Sequence, residues 1–109
     1  DAGLGLPSLC ALVVKPTVCG GLQRARELAA ACAGRGMGLA ISAAFESGVG
    51  VRALARMAAG IGTVAAGLDT YRWLAADVLA PRLDIARPVV ELSSLSASAV
   101  DVGRVRKFL

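Results

Sequence analysis

An apolar run, Cys10, Ala11, Leu12, Val13 and Val14, ends on Lys15 and meets Pro16 at once, which predicts a buried strand with one ammonium group at its carboxyl end. Twenty-seven residues on, Ser42 closes a second apolar run, Met37, Gly38, Leu39, Ala40 and Ile41. A further twenty-seven lead to Asp69, just after Ala65, Ala66, Gly67 and Leu68, so a polar group recurs at the same point of each repeat. Helical periodicity fills the first gap: Leu22, Ala25, Leu28, Ala29 and Cys32 share one face, Gln23, Arg24, Arg26 and Glu27 the other, and Gly34 and Gly36 supply the stop. In the second gap Ser47 is the expected N-cap. Val51, Leu54, Ala55 and Ala58 form the core face there, Arg52 and Arg56 stack one turn apart on the other, and Gly60 and Gly62 mark the end. A short third helix is predicted over about residues 71–79, capped by Asp69 or Thr70 and stopped by Pro81. From Ala80 onward the pattern breaks down. Pro88, Val89, Val90, Glu91 and Leu92 predict one strand, and the Ser/Ala-rich residues 93–98 read as a linker or a loosely packed return segment.

Strand, loop and helix in this rhythm mark successive β/α units of a parallel barrel, an α/β fold whose chemistry sits at the carboxyl ends of its strands. A closed barrel takes roughly 200 residues or more, and the chain has 109. The expectation is therefore a carboxyl-terminal piece of a larger barrel, incomplete as a domain, with three β/α units in residues 1–79 and a return segment or linker in residues 80–109. A start on Asp1 instead of Met fits that expectation. Hydrophobic residues make up 56% of the chain and the mean hydropathy is +0.66. Three units that apolar would leave sheet edges and helix faces uncovered, so the segment by itself is expected to aggregate or stay poorly ordered.

Composition narrows the chemistry. The longest charge-free stretch, residues 2–14, is shorter than the roughly 18–20 apolar residues of a membrane helix. No secretory signal pattern opens the chain. Cys10, Cys19 and Cys32 are odd in number and lack C-x-x-C spacing, which argues against a disulfide framework and for a reducing compartment. Histidine is absent, which removes Ser-His and Cys-His relays and histidine metal sites, and leaves lysine and carboxylate chemistry. The net charge of +4 is spread along the helices, with only Arg104, Arg106 and Lys107 clustered, and aromatic residues are 4% of the chain. Too few aromatic platforms accompany too diffuse a charge for nucleic acid to be the partner.

Each candidate for chemistry carries a plain alternative. Lys15 either covers the rim of the core with its alkyl stem or, ringed by neighbouring strands, takes a proton or faces developing negative charge. Gly20 and Gly21 either cradle an anion or make a tight turn. The loop Ser42, Ala43, Ala44, Phe45, Glu46, Ser47, Gly48, Val49, Gly50 is rich in polar groups for a mere connection. Ser42 and Glu46 contact a ligand or orient Lys15 there, or else they end the strand and complement the helix dipole. Asp69 is either a site carboxylate or a cap.

Val13, Val14, Lys15, Pro16, then Gly20, Gly21, then the run Ile41 to Gly50 and the run Gly67 to Leu74, which reads Gly-Leu-Asp-Thr-Tyr-Arg-Trp-Leu, resemble the last three β/α units of o-succinylbenzoate synthases, members of the enolase superfamily. The similarity covers roughly residues 8–79, and the ordered set is more specific than any one motif. Thr70, Tyr71, Arg72, Trp73 and Leu74 look most like the synthase domain of the multifunctional phylloquinone-biosynthesis proteins of plants and algae. The tail after Pro81 departs from bacterial relatives, whose chains return to a capping domain. The resemblance implies a Mg2+-dependent dehydratase of menaquinone or phylloquinone biosynthesis acting on a small-molecule carboxylate. Its metal ligands and its base would lie in a missing upstream part of the barrel. It implies that Lys15 is the sixth-strand lysine that stabilises the enediolate, and that Ser42, Glu46 and Gly48 line the substrate pocket. It further implies a plastid setting for a plant or algal source and a cytoplasmic one otherwise. Dipeptide epimerases and acylamino-acid racemases, which share the barrel and its lysine, are the rival enzymes. A noncatalytic barrel fragment or interaction module is the rival outside catalysis.

Overall fold

The computed structural model describes residues 5–107. Residues 1–4 and 108–109, which hold the start of the charge-free run and the end of the return segment, lie outside the described residues. The architecture is mixed α/β. Strand β1 (Ala11–Val14) is followed by a helical turn α1 (Pro16–Cys19) and helix α2 (Leu22–Ala33), then by strand β2 (Gly38–Ile41) and helix α3 (Gly48–Ile61). The two strands pair in parallel, Ala11 opposite Gly38 through Val14 opposite Ile41, joined by a helical β/α/β crossover.

Alternation along this pair decides what faces where. Val14, Leu39 and Ile41 turn toward the helices and join Ala25, Cys32 and Leu54 in one core. Burying each of the larger side chains stabilises the layer by about 1.5–3 kcal/mol. The opposite face of β1 carries Val13, which is 64% exposed, and next along it Lys15.

The third unit departs from the expected strand and helix. Residues 63–67 run beside β2, with Thr63 N–H bonded to Leu39 C=O and Gly67 N–H to Ile41 C=O. Only Ser42 and Gly67 form a regular parallel bridge there. The Thr63 hydroxyl accepts the Leu39 N–H at 2.8 Å, so a side chain takes the place of a strand carbonyl at the start of this edge, and backbone pairing resumes only at Gly67. Instead of a helix over residues 71–79 there is a 3-10 turn, Asp69–Trp73. In a helix the Leu74 carbonyl would receive the Val78 N–H. Here the Arg82 guanidinium donates to the carbonyls of Tyr71 and Leu74, each at 2.8 Å, and Val78 N–H goes to the Asp77 carboxylate. The cap of the turn is Leu68, and Asp69 lies in its first turn.

The strand expected at residues 88–92 does not form. Val89 is 77% exposed, and the chain turns through α4 (Leu92–Leu95). Residues 93–98 are held firmly to α3. Arg52 donates to the carbonyls of Leu95 at 3.3 Å and Ser98 at 2.7 Å, and Arg56 donates to the Ser96 hydroxyl at 3.0 Å. Strands β3 (Leu79–Ala80) and β4 (Ala99–Val100) close this return as a short antiparallel pair, and α5 (Val102–Lys107) follows. Leu79, Leu83 and Leu95 pack with Val51 and Tyr71 in a second core on the far side of α3.

Candidate functional site at the strand ends

Parallel register carries Lys15 and Ser42 one residue past the paired Val14 and Ile41, so both stand at carboxyl ends of neighbouring strands. Pro16 begins α1 with its fixed φ, and the Lys15 carbonyl accepts the N–H groups of Val18 and Cys19, which anchors the lysine backbone. The Lys15 Nζ donates to Ser42 Oγ at 3.0 Å and to the Ala43 carbonyl at 2.6 Å. An ammonium has three N–H donors, so one stays available to a third partner. Ser42 Oγ in turn donates to the Gly67 carbonyl at 3.2 Å, which ties the pair to the third unit.

Glu46 reaches the same neighbourhood through Thr17, whose hydroxyl donates to Glu46 Oε1 at 2.5 Å. Burial pushes the Glu46 carboxyl up. Hydrogen bonds from Thr17 and from the backbone of Ala44 and Glu46, with the positive charge of Lys15, outweigh it and hold the group below its ordinary value. Glu46 Oε2 is sealed from solvent and has no hydrogen-bond partner among the described residues. The ionised carboxylate and the ammonium thus frame one polar corner on otherwise apolar strands.

Gly48 is arranged differently. Its N–H, the first of α3, donates to Asp77 Oδ1 at 2.8 Å and not to any group of the lysine corner. Ser47 occupies the N-cap position with extended backbone, φ −63° and ψ 169°, yet its side chain makes no capping bond. Gly20 and Gly21, at φ 113° and 102°, form a turn in which Gly21 N–H bonds the Pro16 carbonyl at 2.7 Å. Asp69 pairs with Arg72 at 3.0 Å, both more than half exposed, a contact of small energy.

Sequence reasoning missed Thr17, Thr63 and Asp77. For Asp77 a signal existed: it is the lone charge in Leu74, Ala75, Ala76, Asp77, Val78, Leu79, Ala80. A carboxylate in such a run is either misplaced or bonded. Among the described residues no three His, Cys, Asp or Glu side chains gather where a metal ion would sit, so the chain's own donors do not fit a Mg2+ site.

Over 90 residues, 82% of this chain, the sequence is 36% identical to the o-succinylbenzoate synthase of Yersinia pestis strain Pestoides F. The chain is similar to o-succinylbenzoate synthases. The synthase of Edwardsiella ictaluri strain 93-146 is 41% identical over 75 residues, 67% of the chain and 23% of that protein. Protein PHYLLO, chloroplastic, of Arabidopsis thaliana is 38% identical over 97 residues, 74% of the chain and 6% of that protein. The resemblance carried by the strand-end motifs therefore holds for both the bacterial enzymes and the plant protein. The match spans 28% of the Yersinia synthase's length. No family model matches the chain, and no solved structure does. Likeness to these synthases implies a piece of an enolase-superfamily barrel, with which the mixed α/β architecture agrees. Among the described residues no helix is long and apolar enough to cross a membrane.

Proposed function

We propose that this chain is the closing arc, the last three β/α units, of an o-succinylbenzoate synthase barrel serving menaquinone or phylloquinone biosynthesis. On this reading residues 1–79 belong to the barrel and residues 80–109 are the return segment toward a capping or downstream domain. The reaction is a dehydration. A base outside this chain removes the proton α to a carboxylate, the electron pair moves into that carboxylate as an enediolate, and collapse breaks the C–O bond as the protonated base returns that proton to the departing hydroxyl, which leaves as water. Any Mg2+ of that reaction is held outside this chain.

The observation that carries the reading is the Lys15 ammonium, bonded to Ser42 Oγ and the Ala43 carbonyl at the ends of neighbouring parallel strands. A fixed cation in a water-poor pocket stabilises an enediolate most strongly where negative charge develops. Ser42 and the Ala43 carbonyl hold the amine in place, so little reorganisation accompanies the reaction. Glu46 is kept ionised beside Lys15, where it lines the substrate pocket and orients the ammonium through their attraction. Gly48 contributes a backbone without a side chain at the start of α3, which lets Asp77 approach and hold the end of the pocket loop. The partner is a small-molecule carboxylate, and the remaining barrel completes its site. A plastid setting follows for a plant or algal source, in keeping with the name of the Arabidopsis relative, and a cytoplasmic one otherwise.

The test is Lys15→Ala in the polypeptide that joins this chain to the rest of the barrel. Turnover to o-succinylbenzoate should fall about 10²–10³-fold, the scale of losing one charge-stabilising donor, with the circular dichroism spectrum unchanged. Wild-type turnover in that variant removes Lys15 from the mechanism. Racemisation of a dipeptide or N-acylamino acid by the unmutated protein, with no dehydration, replaces the synthase by an epimerase.

A further inference from the structure

The loop of residues 42–48 is gripped by four side chains from elsewhere in the chain. Lys15 binds the Ala43 carbonyl, the Thr70 hydroxyl binds the Ala44 carbonyl, Thr17 binds Glu46, and Asp77 binds the Gly48 N–H. Two of the four, Thr70 and Asp77, come from the stretch where the sequence pattern predicts a short third helix, Thr70 as a candidate cap and Asp77 within it. Asp77 is the more deeply placed, at 3% exposure. Its Oδ1 accepts Gly48 N–H and Val78 N–H, each at 2.8 Å, and its Oδ2 accepts the Tyr71 hydroxyl at 2.6 Å. The Tyr71 oxygen accepts Leu83 N–H at 3.1 Å, so the carboxylate stands at the centre of a network that engages both of its oxygens.

We infer that Asp77 is a positioning residue: it caps α3 in place of Ser47 and thereby fixes the loop that carries Ser42 and Glu46 against the Lys15 ammonium. Three physical features support this role. A carboxylate at the first N–H of a 14-residue helix meets the positive end of its dipole. The close approach needs a residue without a side chain, because a Cβ at Gly48 would lie 2.2 Å from Asp77 Oδ2. Ser47, the ordinary cap, is thereby freed from capping, and its side chain makes no such bond. The loop is consequently held at Gly48 as well as at Ala43, Ala44 and Glu46. Asp77 acts through Gly48 and touches no substrate.

The catalytic part of the test rests on the synthase reading, whereas the geometric part does not. Asp77→Asn is made in the polypeptide joined to the rest of the barrel, since asparagine keeps an acceptor for Gly48 but loses the charge and gives Tyr71 a donor where it needs an acceptor. Amide hydrogen exchange at Gly48 should accelerate about tenfold, the scale of weakening one charge-assisted bond. Acylation of Lys15 by a small amine-reactive ester should change severalfold, and kcat should fall about tenfold with KM moving less than threefold. Unchanged Gly48 exchange, or faster exchange with Lys15 reactivity and kcat both as in the wild type, overturns the inference. If the unmutated protein makes no o-succinylbenzoate, the functional reading fails while Gly48 exchange and Lys15 acylation still decide the positioning role. Should Asp77→Asn not fold, Tyr71→Phe, which removes the Oδ2 partner and the acceptor of Leu83 N–H while leaving the Asp77 bond to Gly48 in place, takes its place with the same directions expected and the same results overturning it.

Discussion

Replacing Gly48 by alanine adds one methyl group, and the geometry lets its effect be worked out. The new Cβ would lie 2.2 Å from Asp77 Oδ2, 2.7 Å from Leu79 Cδ1 and 3.1 Å from Asp77 Cγ. Ordinary nonbonded contact is about 3.5 Å, so Asp77 has to retreat by about 1 Å. That retreat stretches the 2.8 Å Gly48 bond and the 2.6 Å Tyr71 bond beyond useful range together. Overpacking costs roughly 1–3 kcal/mol, and each hydrogen bond to a charged group is worth about 1.5–3 kcal/mol. The better helix propensity of alanine returns at most about 1 kcal/mol. The expected net loss is about 3–8 kcal/mol in the opening free energy of the α3 amides, read by native-state hydrogen exchange in the assembled barrel. Gly60→Ala, in the same helix with nothing within 4 Å of the added Cβ, is the control and should stabilise by about 0.5–1 kcal/mol. If both substitutions shift α3 alike, the Asp77 contact at Gly48 has no energetic meaning and the reasoning fails.

Arg52→Ala should release the return segment: its guanidinium holds the carbonyls of Leu95 and Ser98. Limited proteolysis should then cut within residues 92–100 sooner, an effect of about 1–3 kcal/mol on local opening, while the amides of β1 and β2 keep their protection. A pH titration of the denaturation midpoint should show losses on both flanks. Burial raises Asp77, yet the bonds from Tyr71, Gly48 and Val78 and the charge of Arg82 outweigh it and hold the carboxyl below its ordinary value. A depressed carboxyl contributes stability that is complete above the unfolded value of about 3.9 and is lost as pH falls below it. Glu46, also held low, adds to the same acid flank. Tyr71 is pushed up by burial and then by Asp77, so its contribution is complete below about pH 10 and is lost as pH rises through the folded value. Asp77→Asn should flatten the acid flank, and a flank of unchanged steepness in that variant would show that the carboxylate is not its source.

The twenty-seven-residue spacing was legible because strand and helix periods are local. An apolar run, a polar stop and an amphipathic helix follow from neighbouring residues alone, and they put Lys15 beside Ser42. Gly62 was legible for the same reason, since it accepts the end of α3 by donating to the Ala58 carbonyl. The third unit was not, because its structure is set by partners far along the chain. Arg82 takes the carbonyls a helix at residues 71–79 would use, and no local pattern announces that an arginine eleven residues on will do so. Arg52 and Arg56 read as a solvated face for the same reason: their acceptors lie 40 residues or more away. The Ser47 cap was right in position and wrong in chemistry, as the carboxylate that bonds Gly48 comes from 29 residues downstream.

Buried charges in proteins are often replaceable by apolar side chains at no loss of stability, because the pair's desolvation cancels its attraction. Asp77 is a different case. Its partners are not a cation that a second substitution would remove, but the backbone N–H groups of Gly48 and Val78, with Leu83 N–H depending on it through Tyr71. No side-chain replacement deletes those donors, so an apolar residue at position 77 leaves them buried and unpaired at about 1–3 kcal/mol each. The tertiary network is therefore kept by the backbone it satisfies, and that same backbone begins the loop under Lys15. Stability and placement of the ammonium's partners are coupled at this point of the fold: the force that keeps α3 capped is also the one that holds Ser42 and Glu46 in reach.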